Sequence, residues 1–186
     1  MKATDVLVAE HKNIKRMLVV VRKLCRQVFF NQEVYYEGFY DAIDFIRNYA
    51  DKFHHGKEED IYFASMSTEL GPTIQQGPIF GMLAEHDLGR LFIKTLEESL
   101  EKSKNGDEDA KIDIISNAIC YTDLLYRHID KEDNAIFTFA ESNLNEEAKK
   151  TVDEDFEKSK DRLKSDETEN KYVELLERLE KYVASV

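Results

Sequence analysis

The chain has little of what breaks or staples a fold. Only two prolines and seven glycines occur in 186 residues, and both prolines (Pro72, Pro78) and four glycines (Gly71, Gly77, Gly81, Gly89) fall in one short region. The rest is nearly free of breakers, so long helices are expected. The two cysteines, Cys25 and Cys120, are too few and too far apart for a disulfide framework and read as buried free thiols. No apolar run approaches the roughly 20 residues of a membrane span. The opening segment MKATDVLVAEHKNIKRML also lacks the uninterrupted apolar core of a signal peptide, which predicts a cytoplasmic location. Positive charge is scarce: 26 Lys and Arg stand against 38 Asp and Glu, a net charge of −12 with no basic cluster. That balance speaks against nucleic acid or a membrane as partner. A chain of this length can bury a core without a structural metal, so any metal it holds serves function.

What is present is helical periodicity. A first helix is predicted from about Thr4 to Phe30, with the stripe Leu7, His11, Ile14, Leu18, Val21, Cys25, Val28. A second, from about Gln32 to Ser67, carries Phe39, Ile43, Ile46, Ala50, His54, Glu58, Ile61. A loop through Gly71 to Gly77 leads to a third helix opened by Pro78, with Ile79, Met82, His86, Gly89, Ile93, Leu96 and Leu100 inward. The fourth begins after Lys104–Asp107 and faces inward with Ile114, Ala118, Tyr121, Leu125, His128, Glu132, Ala135 and Phe139. Four such helices with short connections predict an all-α, up-down-up-down four-helix bundle over residues 1–145. Residues 146–186 turn charged and then regain a stripe through Tyr172, Leu176, Leu179 and Val183, which reads as an accessory helical segment packed on the bundle or on a second subunit.

Each bundle helix places one histidine where an apolar residue is expected, and two add a glutamate four residues on: His54 with Glu58, His128 with Glu132. A four-residue step stacks side chains on one face, so each pair can grip one metal or two adjacent ones. One histidine in an apolar stripe is ordinarily a hydrogen-bonded core residue. Four with two glutamates in one narrow bundle would cost several kcal/mol per unpaired ion, a penalty that a metal pair removes. Imidazole and carboxylate without thiolate suit iron, manganese, zinc or cobalt, and two carboxylates able to span both ions favour a redox pair. Within the doublet His54-His55, His54 stacks with Ala50, Ile46 and Glu58. His55 is rotated by about 100° and reads as a flank, with His55 and Glu59 as the competing register. Glu85 and Tyr121 are candidate proton donors; Glu85 reads equally as a carboxylate supporting a ligand or, more plainly, as a solvated neighbour on an adjacent face, and Tyr121 more plainly as a core aromatic, while Asp60 and Asp133 read as surface charges.

The segments Glu10-His11, His54-His55-Gly56-Lys57-Glu58-Glu59-Asp60-Ile61, Glu85-His86-Asp87 and His128-Ile129-Asp130-Lys131-Glu132-Asp133-Asn134 together resemble the hemerythrin-like, or HHE cation-binding, family over about residues 1 to 160. The resemblance implies an oxo- or hydroxo-bridged non-haem centre of two iron ions, with manganese or zinc as less favoured occupants. It carries over His11, His54, Glu58, His86, His128 and Glu132 as ligands. Oxygen-carrying members have an extra histidine on the third helix one turn from its partner, where this chain has Met82 and Arg90. It is therefore more similar to members with four histidines and two glutamates. The expected function is binding of dioxygen or nitric oxide at an open iron position, in oxygen sensing or storage or in oxidative and nitrosative stress. The alternative is an enzyme decomposing peroxide or nitric oxide, or an iron donor for iron–sulfur cluster repair. Sensing would require a separate protein partner.

Overall fold

In a computed structural model, which describes residues 1–185, the chain is helical almost throughout, and no strand is present among those residues. The scarcity of breakers has the expected result. α1 (Lys2–Asn31) is uninterrupted and ends where Gln32 turns left-handed at φ 60°. The second arm starts at α2 (Tyr36–Phe45), later than Gln32, and runs on to α3 (Phe63–Leu70). Gly71, at φ 83°, then reverses the chain.

The expected loop from Gly71 to Gly77 is not a loop. Pro72 opens a helical turn at once (α4, Pro72–Ile74) because a first-turn residue needs no amide hydrogen. The chain winds through Gln75–Ile79, with Pro78 inside, into α5 (Phe80–Lys104). Gly106, at φ 97°, makes the next reversal, into α6 (Ala110–Lys131), which continues to α7 (Phe137–Asn143). The four arms pack as a closed square: α1 on α2, α2 on α5, α5 on α6, and α6 back on α1.

The inward stripes hold until the helices widen. Ile46–His55, Glu58–Tyr62 and Glu132–Ile136 close i→i+5 turns, the π form. Such a turn inserts one residue and shifts everything beyond it around the axis. Tyr62 and Phe63 are therefore buried, where Ile61 was expected. Likewise Phe137 and Ala140 fill the core, while Ala135 and Phe139, predicted inward, are exposed.

Two further helices follow: α8 (Glu146–Leu163), capped by the Asn145 side chain accepting from the Ala148 amide at 2.8 Å, and α9 (Ser165–Ala184). They cover different ends. Ala148, Val152 and Phe156 join Leu7, Tyr62, Phe63 and Phe137 in one apolar cluster, whereas Tyr172, Leu176, Leu179 and Val183 join the larger one. Between the clusters lies a buried polar layer. Among the described residues no helix is long and apolar enough to cross a membrane. Both cysteines are free; Cys25 is buried, its thiol pushed up to about 12 by burial, but Cys120, expected buried, is exposed.

Candidate metal centre

His11, His54, His86, His128, Glu58 and Glu132 all converge on that polar layer, and both glutamates are fully buried. Glu58 and Glu132 each turn one oxygen to either side. Glu58 Oε1 lies 3.3 Å from His54 Nε2 and its Oε2 lies 3.7 Å from His86 Nε2. Glu132 Oε2 lies 3.3 Å from His11 Nε2 and its Oε1 lies 3.1 Å from His128 Nε2. These atoms fall into two groups in which every donor is within 4.8 Å of the others: His11, His54, Glu58, Glu132, and His55, Glu58, His86, His128.

His55, set aside in the sequence reading, stands in the second group. The π turn is the reason. Five residues rather than four close the ring, so consecutive side chains are splayed by less than the α-helical step, and both members of a His-His doublet can face one layer. The His55 and His86 rings stack face to face, centroids 3.8 Å apart.

The outer nitrogens decide the chemistry of the inner ones. His11 Nδ1 meets Asp133 at 2.7 Å, His54 Nδ1 meets Glu10 at 2.8 Å, His86 Nδ1 meets Glu59 at 2.6 Å, and His128 Nδ1 meets Glu85 at 2.9 Å. A carboxylate only accepts, so Nδ1 carries the hydrogen and Nε2 is left with its lone pair turned inward. His55 Nδ1 faces Asp51 at 3.4 Å.

These pairs form a ring. The acid beside the ligand position on each arm supports the histidine of the next: Glu10 to His54, Glu59 to His86, Glu85 to His128, and Asp133 back to His11. Each acid is in turn held by a cation: Lys57 on Glu10, Arg90 on Glu59 and Asp51, Lys131 on Glu85, and Lys15 on Asp133. Asp133 is thus a working part of the layer, not the surface charge expected of it. Glu85 takes its supporting role. Asp60 remains at the surface, near Arg162.

A lone-pair layer of this kind is unstable without cations. His11 Nε2, His54 Nε2 and all four oxygens of Glu58 and Glu132 are buried without a hydrogen-bond partner, and His86 Nε2 faces His128 Nε2 at 3.0 Å. Cations with bonds of about 2.0–2.2 Å to nitrogen and oxygen set neighbouring ligand atoms roughly 3 Å apart. The separations here have that scale. Protons fill the role otherwise. Burial opposes charging His54, yet Glu58 and Glu10 outweigh it and raise its value to about 10. His128, opposed by burial and favoured by Glu132, rises to about 9. Burial and the neighbouring His86 push His55 well below the ordinary range. Glu132 is held far below the carboxylate range, its burial outweighed by His128 and His11.

Fold and layer together define a cation-binding helical bundle. Residues 2–140 match the family model described as the hemerythrin HHE cation binding domain. The chain belongs to that family. No curated protein and no solved structure matches it.

Proposed function

We propose that the protein is a non-haem di-iron protein that binds dioxygen or nitric oxide in oxygen storage or sensing or in an oxidative and nitrosative stress response. The observation that carries the reading is the set of inward Nε2 lone pairs around two carboxylates whose oxygens divide between two ligand groups. His11, His54, Glu58 and Glu132 would hold one cation, and His55, His86, His128 and Glu58 the other, with Glu132 reaching both through its second oxygen. A reduced iron pair supplies an open coordination position for a diatomic ligand. The protein's own part is to hold that position fixed between two apolar clusters. Each supporting acid fixes ring orientation and raises imidazole basicity.

The two halves differ in access. His55, His86 and His128 border a cavity that reaches the surface, which supports their side as the ligand-binding one. The same opening favours the second reading, decomposition of peroxide or nitric oxide, because Tyr121 lines it and offers a phenol proton.

Anaerobic purification, metal analysis and optical spectra during separate additions of dioxygen, peroxide and nitric oxide test both readings. Two irons per chain and a reversible adduct with dioxygen or nitric oxide are expected. Turnover of peroxide or nitric oxide would select the enzyme, and zinc or a single metal would overturn the di-iron assignment. Glu58→Ala, which removes a donor from both groups, is expected to lose the pair; retention of two metals would refute the ligand set.

A further inference from the structure

The cavity beside His55, His86 and His128 is much larger than a diatomic ligand needs. Its volume is about 250 Å³. Liquid water takes about 30 Å³ per molecule, so the space equals roughly eight waters, and a dry cavity of about 150 Å³ walled by Leu, Ile and Phe is enough to hold benzene. Its long walls are apolar: Ile46, Gly89, Ile93, Leu125 and the ring of Tyr121. The rest of its lining is polar: the three histidines, the carboxylates Asp51 and Glu85, and the cations Arg47, Lys52 and Arg90.

The outer cations do not make it an anion site. Arg47 pairs with Glu97 through two bonds of 2.8 and 2.6 Å, and Arg90 is shared among Asp51, Glu59 and Asp87. The two arginine charges are spent within the protein, and Lys52, which meets only the Asn48 amide oxygen at 3.2 Å, is exposed. Tyr121 is different. Its ring is buried, and its hydroxyl, which has no protein hydrogen-bond partner among the described residues, stays accessible to the cavity that Tyr121 lines. A hydroxyl that lines the cavity can exchange water for a ligand acceptor and so orient the ligand.

Gly89 creates the room. It lies in mid-helix on the buried face of α5, where glycine costs roughly 1 kcal/mol against alanine. An added Cβ would sit 3.5 Å from Tyr121 Cε2 and 3.6 Å from Leu125 Cδ2, ordinary contact distances. Nothing in the packing forbids a methyl group there, and glycine leaves that volume open.

We propose that this cavity binds a neutral, benzene-sized organic molecule with one polar group, its apolar body against Ile46, Gly89, Ile93 and Leu125 and its polar group at the Tyr121 hydroxyl, facing the metal layer. Only the last element, the facing metal, rests on the di-iron reading. The ligand class extends that reading from diatomic gases to an organic co-substrate or effector held beside the open position.

Phenol is the probe, titrated into metal-free and iron-loaded full-length protein by calorimetry and by amide chemical shifts. Saturable binding with shifts centred on Gly89, Ile93 and Leu125 is expected in both forms. Gly89→Ile should weaken it at least tenfold and Tyr121→Phe several-fold, with metal content unchanged. Gly89→Ala, whose methyl fits without displacing a neighbour, guards against misfolding and should weaken binding by a smaller factor. Absence of saturable binding to the wild type, as for a cavity that holds only water, would overturn the proposal, and so would equal affinity in Gly89→Ile. Metal analysis reads the di-iron assignment separately, so the two failures are distinguishable.

Discussion

His11, His54, His86 and His128 are each oriented by an acid from a neighbouring arm, whereas His55 faces Asp51 of its own arm, and each of these acids is held by a lysine or arginine. That arrangement has consequences for pH. In the metal-free protein His54 and His128 hold protons up to about 10 and 9, well above the ordinary value near 6.5. A histidine value raised by folding contributes stability that is complete below about 6.5 and lost as pH rises through the raised value. His55 runs the other way: its depressed value removes stability below about 6.5, where the unfolded chain takes a proton that the folded one refuses. The metal-free protein should therefore show a Tm maximum near neutrality and a decline towards pH 10. Bound metal replaces those protons, so the loaded protein should lack the alkaline decline. Thermal melts of both forms across pH 5 to 10 measure this, and a flat metal-free profile above 6.5 would contradict it.

At the scale of elements, the π turns separate what the chain folds by from what it works by. Glu132–Ile136 carries Glu132 and Asp133 into the layer, and beyond it Phe137 and Ala140 take the core positions. Removing the exposed Ala135 would bring Phe137 to four residues and Ala140 to seven residues after Glu132, the spacing of a regular α-helix. The stripe would survive. The expected result is a metal-free protein with helicity and Tm at least as high as the parent, but with metal affinity lowered more than tenfold because Glu132 and Asp133 are re-aimed. Such a trade of function against stability is common where a local distortion serves a site. Metal titration alongside thermal melts tests it; unchanged affinity would show that the wide turn has no part in the layer.

For the whole molecule, the polar layer is clamped between two apolar clusters, and α8 and α9 each complete one of them. Leu176 is fully buried in the larger cluster, against the bundle. Leu176→Ala should cost about 2–5 kcal/mol. At roughly 2–4 °C per kcal/mol for a chain of this size, Tm should fall by about 4–20 °C, with metal stoichiometry retained below the transition. A change within 1 °C would mean that α9 is not part of the cooperative unit.

The sequence alone determined the helices and their inner faces. Periodicity acts within one helix, and few prolines or glycines interrupt it. The same locality let His54 and Glu58, and His128 and Glu132, be paired by their four-residue step and tied to a cation-binding domain. It also limited the reading. An ideal α-helical angle turns His55 away from the layer, and the π turn that brings it inward leaves no mark in the spacing of apolar residues. Asp133 and Glu85 look like any solvated acids beside a ligand, because their partners, His11 and His128, sit on other arms and are met only once four helices close into a square. The cavity beside Gly89 is likewise a property of facing surfaces. A glycine at an inward position announces missing volume, but whether Tyr121 and Leu125 fill it or leave it open is decided by tertiary packing, where the distances between helices are set.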